Sequence, residues 1–221
     1  MAIIHKTTLR PGKLDLLAAW LPAQPWYRGD GAPQLSRAGG FRLDDPAGEV
    51  GIEFMVVADA GGGTERCYLV PMTYRAAPLA GAEEALIGTT EHGVLGLRYV
   101  YDGARDPVLA AQLGALLQGE VGAQAQGVSN TPDPSVTASY AGLPLTPADP
   151  PQVAGSPEGT DIALAGGGSL RILRELADDD AGSDADGTVA RQGTAGQVVA
   201  GWTAAGDEHR GTIAVMIPRS R

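Results

Sequence analysis

Apolar positions along the chain repeat in two rhythms. Leu14, Leu17, Ala18 and Leu21 recur at helical spacing, with Trp20 beside them, until Pro22 stops the pattern. This predicts a short amphipathic helix from Lys13 that ends in the corner Leu21-Pro22-Ala23-Gln24-Pro25-Trp26-Tyr27-Arg28-Gly29. Leu109, Leu113, Leu116 and Leu117 share one helical face behind Asp106-Pro107. Aspartate caps free N–H groups there and proline fits the first turn, so a second helix is predicted. Elsewhere the rhythm is that of strands. Residues 39–44 and 49–58 read as two strands joined by the turn Asp45-Pro46-Ala47-Gly48, and 65–74 as a third beyond Gly61-Gly62-Gly63. With 94–101 they predict an antiparallel meander. Residues 1–8 read as a first strand and 83–87 as a helical turn.

After Gly119 the pattern loosens. Residues 120–157, rich in Pro, Gln and Ala, read as a linker or long irregular connection. Structure resumes over 160–176 as a hairpin turning at Ala165-Gly166-Gly167-Gly168-Ser169, and 198–203 with 211–217 read as a closing pair of strands. The acidic run 178–187 reads as a mobile loop. The expected division is a cap-like α+β region (1–119), a connection (120–157) and a C-terminal β-rich region (158–221) packed on the same sheet.

Composition narrows the classes. Sixteen Lys+Arg against 26 Asp+Glu leave a formal charge of −10 in 221 residues, with the basic residues scattered. Such a surface repels phosphate backbones and anionic lipid, which argues against nucleic-acid and membrane partners. The single cysteine, Cys67, excludes an internal disulfide or a cysteine-based zinc site, and in the run Cys67-Tyr68-Leu69-Val70 it reads as a small buried hydrophobe. The opening residues hold no apolar stretch of signal-peptide length and nothing approaches a membrane span, so a cytoplasmic location is expected.

Candidate chemistry is sparse. The glycine-rich stretches 60–64 and 165–169 lack the lysine and the following helix of a phosphate loop and read as hairpin turns. The acidic run 178–187 misses a calcium loop at Gly182 and Gly193, so no metal or cofactor is implied. Adjacent carboxylates (Asp44-Asp45, Glu83-Glu84) read as turns, not as a glycosidase pair facing across a cleft. His92, in Thr89-Thr90-Glu91-His92-Gly93, has the best local company of the three histidines. It reads as a hydrogen-bonded structural residue, with catalysis using Glu91 as the sharper alternative. Trp20, Trp26, Tyr27 and Arg28 form the most distinctive cluster. Trp20 reads as a packed corner, while Trp26, Tyr27 and Arg28 leave open a sugar or partner platform.

The run 17–29, with its Trp20-Leu21 pair leading into Gln24-Pro25-Trp26-Tyr27-Arg28-Gly29, resembles the opening of bacterial maltokinases. The blocks 41–46, 48–53, 69–79 with Gly81-Ala82-Glu83, and 88–103 are similar to maltokinase N-terminal cap-like proteins, including those related to glucosamine kinases. The resemblance covers roughly residues 1–140. It implies an α+β fold: a curved antiparallel sheet with two or more packed helices, described for that cap as cystatin-like, followed here by further hairpins. In the full kinases the cap sits on the ATP-binding lobe and catalysis belongs to the next domain. These 221 residues hold no His-x-Asp loop and no magnesium-binding aspartate motif, so no catalytic residue carries over. The resemblance therefore implies a non-catalytic accessory protein acting in trans on a sugar kinase or an α-glucan or trehalose-pathway enzyme. A stand-alone carbohydrate-binding or sensing module is the alternative. Binding residues are expected at Trp26, Tyr27, Arg28 and His92.

Overall fold

The computed structural model describes residues 8–128, 130–178 and 193–219. Most of the expected first strand and most of the acidic run lie outside these residues. Along the chain come Leu9–Arg10 (β1), Lys13–Trp20 (α1), Leu35–Leu43 (β2), Gly51–Asp59 (β3), Arg66–Arg75 (β4), Leu86–His92 (β5) and Gly96–Asp102 (β6). Pro107–Leu117 (α2), Gln124–Ala125 (β7), Thr137–Tyr140 (β8), Val153–Ser156 (β9), Gly159–Ala163 (β10) and Ser169–Ile172 (β11) follow. Glu175–Leu176 (β12), Gly196–Ala204 (β13) and Asp207–Ile217 (β14) complete the set.

These strands form one sheet in the order β1-β5-β6-β4-β3-β2-β13-β14-β11-β10-β9, with β12 added to β4, β7 to β2 and β8 to β13. The result is an α+β protein dominated by antiparallel pairing. Strand β3 is buried on both faces because each face carries a helix. Phe54, Val56 and Ala58 belong to the core that holds α2, whereas Met55 and Val57 belong to the core that holds α1. Strand alternation does the sorting: successive side chains point to opposite faces. β4 divides in the same way, with Cys67 and Leu69 on the α2 side and Tyr68, Val70 and Met72 on the α1 side.

Helix α2 buries Leu109, Leu113, Leu116 and Leu117 against β2, β3 and the C-terminal strands, at roughly 1.5–3 kcal/mol for each side chain. Its start is held as the sequence predicts. Asp106 accepts from Val108 N–H at 3.0 Å, and its carboxylate is also gripped twice by Arg75 at 2.6 and 2.7 Å. Helix α1 presents Leu17 to the other face and then tightens into a single turn at Leu21–Ala23, where Pro22 ends the α-helical bonding. Lys13 anchors it to buried Glu53 with bonds of 2.6 and 2.9 Å, and Glu53 also accepts from Tyr74 Oη and Gln126 Nε2.

Two expectations change. Residues 83–87 are not one helical turn: the turn closes at Ala85 and β5 begins at Leu86. The segment 120–157 carries β7 and β8, each of which adds to a partner remote in sequence, and β9, which forms a hairpin with β10. Remote pairing leaves no local signature, because the ladder bonds come from a strand elsewhere.

Candidate functional site

The corner after α1 is built by short-range bonds. Gln24 N–H donates to the Leu21 carbonyl at 2.9 Å and Tyr27 N–H to the Gln24 carbonyl at 3.1 Å, which folds Trp26 inward. Its indole lies 5.8 Å from the Trp20 ring and 6.0 Å from Tyr68, with the Arg174 guanidinium carbon 5.0 Å from its centroid. Trp26 is only 2% exposed. This corrects the expectation of a surface platform there: the residue is core, and a partner reaches it only by opening the α1 face.

Tyr27 and Arg28 face outward from that core. Tyr27 packs on Tyr68 at 5.3 Å and donates through Oη to Asp59 Oδ2 at 2.7 Å. Burial, and then the Asp59 charge, push its phenol far above the ordinary tyrosine value. Asp59 also accepts from Gln34 N–H at 2.8 Å and Gly61 N–H at 2.9 Å. Burial alone would raise its carboxyl, but the bonds from Tyr27, Gly61 and Gln34 outweigh that and hold it below the usual range. The Arg28 side chain is exposed, while its backbone N–H donates to Tyr68 Oη at 3.1 Å.

Beside this corner the chain encloses a pocket of about 130 Å³ lined by Arg28, Gly29, Asp30, Asp59, Gly62, Thr64 and Arg66. One wall is the loop after Tyr27 and the other is the β3–β4 turn. The glycine run there is a hairpin turn, as its neighbours predicted, yet it also serves as pocket wall. A Cβ on Gly61 would stand 2.5 Å from the Ala32 carbonyl, so the two loops close together only with glycine at that position.

His92 is elsewhere. It ends β5, and its Nδ1 accepts from Val94 N–H at 3.3 Å and Leu95 N–H at 3.0 Å, fixing the turn into β6. The corner packs at the Tyr68 end of β4, whereas the β5–β6 tip extends past the Arg75 end. That separation is on the order of 30 Å at ~3.3 Å per strand residue, so His92 and the corner are not one site. The tip is instead apolar: Val94, Leu95 and Leu97 are all exposed.

Asp30, Asp59, Thr64 and Arg66 were not anticipated as site residues. Their assembly depends on two loops meeting across the end of a hairpin, and only the glycine run signalled it. Cys67, next along β4, is buried on the opposite face of the sheet, and burial pushes its thiol up to about 11, which leaves it inert at neutral pH. Among the described residues, no group of three or more His, Cys, Asp or Glu is placed to hold a metal ion. No helix among them is long and apolar enough to cross a membrane.

Fold and site together define an α+β protein with a small polar pocket between two loops at one end of its central hairpin. Residues 20–106, which span the corner, β2 to β6 and the Asp106 cap, match the maltokinase N-terminal cap domain, so this segment is similar to that family's cap. The match is narrower than the 1–140 span of the resemblance. No curated protein matches the chain.

Proposed function

We propose that this protein is a non-catalytic cap-like accessory module that acts in trans on a sugar kinase or on an α-glucan or trehalose-pathway enzyme. The observation that carries the reading is the family match over residues 20–106. On this reading the module works in the cytoplasm, and its sheet is the curved, cystatin-like platform of a cap. It influences a partner's catalytic domain by contact, not by contributing reacting groups. Trp26 no longer serves as the contact residue. Arg28, exposed on the matched segment, remains available.

The test is recovery of the tagged protein from its native cytoplasm at low salt, followed by assay of the recovered partner with and without the module. Stoichiometric recovery of a sugar kinase or α-glucan enzyme whose kcat or KM changes on adding the module is the expected result. Recovery of the protein alone, or of an enzyme whose kinetics ignore it, overturns the reading.

A further inference from the structure

The floor of the polar pocket is satisfied, while its walls remain open to solvent. Asp59 holds both loops at once, accepting from Gln34 and Gly61 N–H through one oxygen and from Tyr27 Oη through the other. The chain also closes tightly around the Tyr27 hydroxyl, where a Cβ on Gly29 would collide with it. Over this floor stand Arg28 and Asp30 from one loop and Thr64 and Arg66 from the β3–β4 hairpin, all four exposed. Because the scaffold is already ordered, a ligand does not bear the cost of arranging these loops.

The lining side chains are two guanidinium groups, two carboxylates and one hydroxyl, joined by glycine backbone and with no apolar side chain. Their formal charges cancel, and Arg66 is already paired with Glu175. A bare anion would meet Asp30 and Asp59, and a bare cation would meet both arginines. The walls instead offer donors and acceptors side by side: guanidinium only donates and carboxylate only accepts. A hydroxyl does both, so neighbouring hydroxyls on one carbon frame satisfy such a wall without bringing charge. The volume is close to that of the ~150 Å³ cavity that holds benzene, and the open walls leave room for the hydroxyls that a larger ring carries.

We propose that this pocket binds a neutral polyhydroxylated ligand of about one sugar ring, with Arg28 and Arg66 donating to its oxygens and Asp30 accepting from its hydroxyls. Asp59 is a positioning residue, since its oxygens already serve the loops. The lining carries no aromatic platform, so the affinity is modest, with a Kd on the order of 1 mM. This assignment goes beyond the cap reading and does not depend on a partner enzyme.

The test uses the full chain alone, titrated with D-glucose, maltose, trehalose and myo-inositol and followed by amide chemical shifts. Inorganic phosphate and glucose 6-phosphate serve as charged comparisons. The expected result is saturable binding of at least one neutral compound that moves the Gly62 and Thr64 amides. Arg28→Ala and Asp30→Asn should each weaken it about tenfold, as loss of a hydrogen bond to a charged group does. Both positions are exposed, so unchanged thermal unfolding midpoints separate lost binding from lost fold. Saturation by none of the four neutral compounds overturns the proposal, as does binding of phosphate alone. Unchanged affinity in both variants overturns it too. None of these outcomes bears on whether the protein engages a kinase.

Discussion

At the scale of single residues, burial decides which polar and aromatic side chains act structurally. Trp26 stands in a motif that looks exposed in sequence, but it fills the space between Trp20, Tyr68 and Arg174. Replacing it by alanine opens a cavity, and Trp26→Ala is expected to cost about 3–5 kcal/mol in urea unfolding. An unchanged midpoint would return the residue to the surface. Asp45 is the opposite case, a turn residue that is only 5% exposed. Its burial opposes ionisation, yet bonds from Val50, Ala47 and Glu49 N–H, helped by Arg75, keep its carboxyl below the ordinary value. A depressed folded-state value stabilises the fold above the unfolded carboxyl's titration and is lost as pH falls through the folded one. Asp45→Asn should therefore lower stability at neutral pH by about 1–3 kcal/mol and flatten its decline in acid. Urea titrations at neutral and acid pH would check both parts. An equally steep acid decline in the variant would assign the effect to other groups.

At the scale of elements, segments with an apolar rhythm were legible, and strands defined only by their pairing were not. Helix α2 could be read because its cap Asp106, Pro107 and the leucine spacing all fall in one short stretch of sequence. Strands β3 and β4 could be read because burial on both faces leaves near-continuous apolar runs. Strand β5 was missed since Gly88, Thr89, Thr90 and Glu91 carry no apolar alternation; pairing with β6 makes them a strand. β7, β8 and β9 were missed for the same reason, and so was the pocket, whose walls come from two separate loops. Even at α2 the sequence showed only half of the device. Arg75, from the end of β4, clamps the carboxylate that caps the helix, so one buried group fixes both elements. Asp106→Ala should cost more than the ~1 kcal/mol of an ordinary cap, because it also leaves Arg75 without its partner. In a double-mutant cycle with Arg75→Ala, part of that loss should be recovered, giving a coupling of about 1 kcal/mol or more. Additive losses would mean that cap and clamp act independently.

At the scale of the whole molecule, the matched segment does not close its own core. The face of α2 that holds Leu109, Leu113 and Leu116 belongs to one cluster with Ile162, Leu170, Ile172, Val198 and Ile213, all from beyond residue 157. Strand β13 extends the sheet beside β2, and β12 adds to β4 at Tyr68 and Cys67. A single buried side chain joins the parts. Arg174 is fully buried, bonds both Asp102 oxygens at 2.7 and 2.8 Å and Thr160 Oγ1 at 2.8 Å, and lies over Trp26. Removing the C-terminal strands would expose the apolar side of α2 and strip Asp102 and Trp26 of a shared partner. A fragment of residues 1–119 should then lack a cooperative unfolding transition and bind a hydrophobic dye, whereas the full chain unfolds in one step. In the full chain, Arg174→Met should cost about 3–5 kcal/mol, because Asp102 is left with an unpaired charge beside the core. A cooperatively folded fragment would instead mean that α2 finds another cover, and that the C-terminal strands were added to a cap already stable without them.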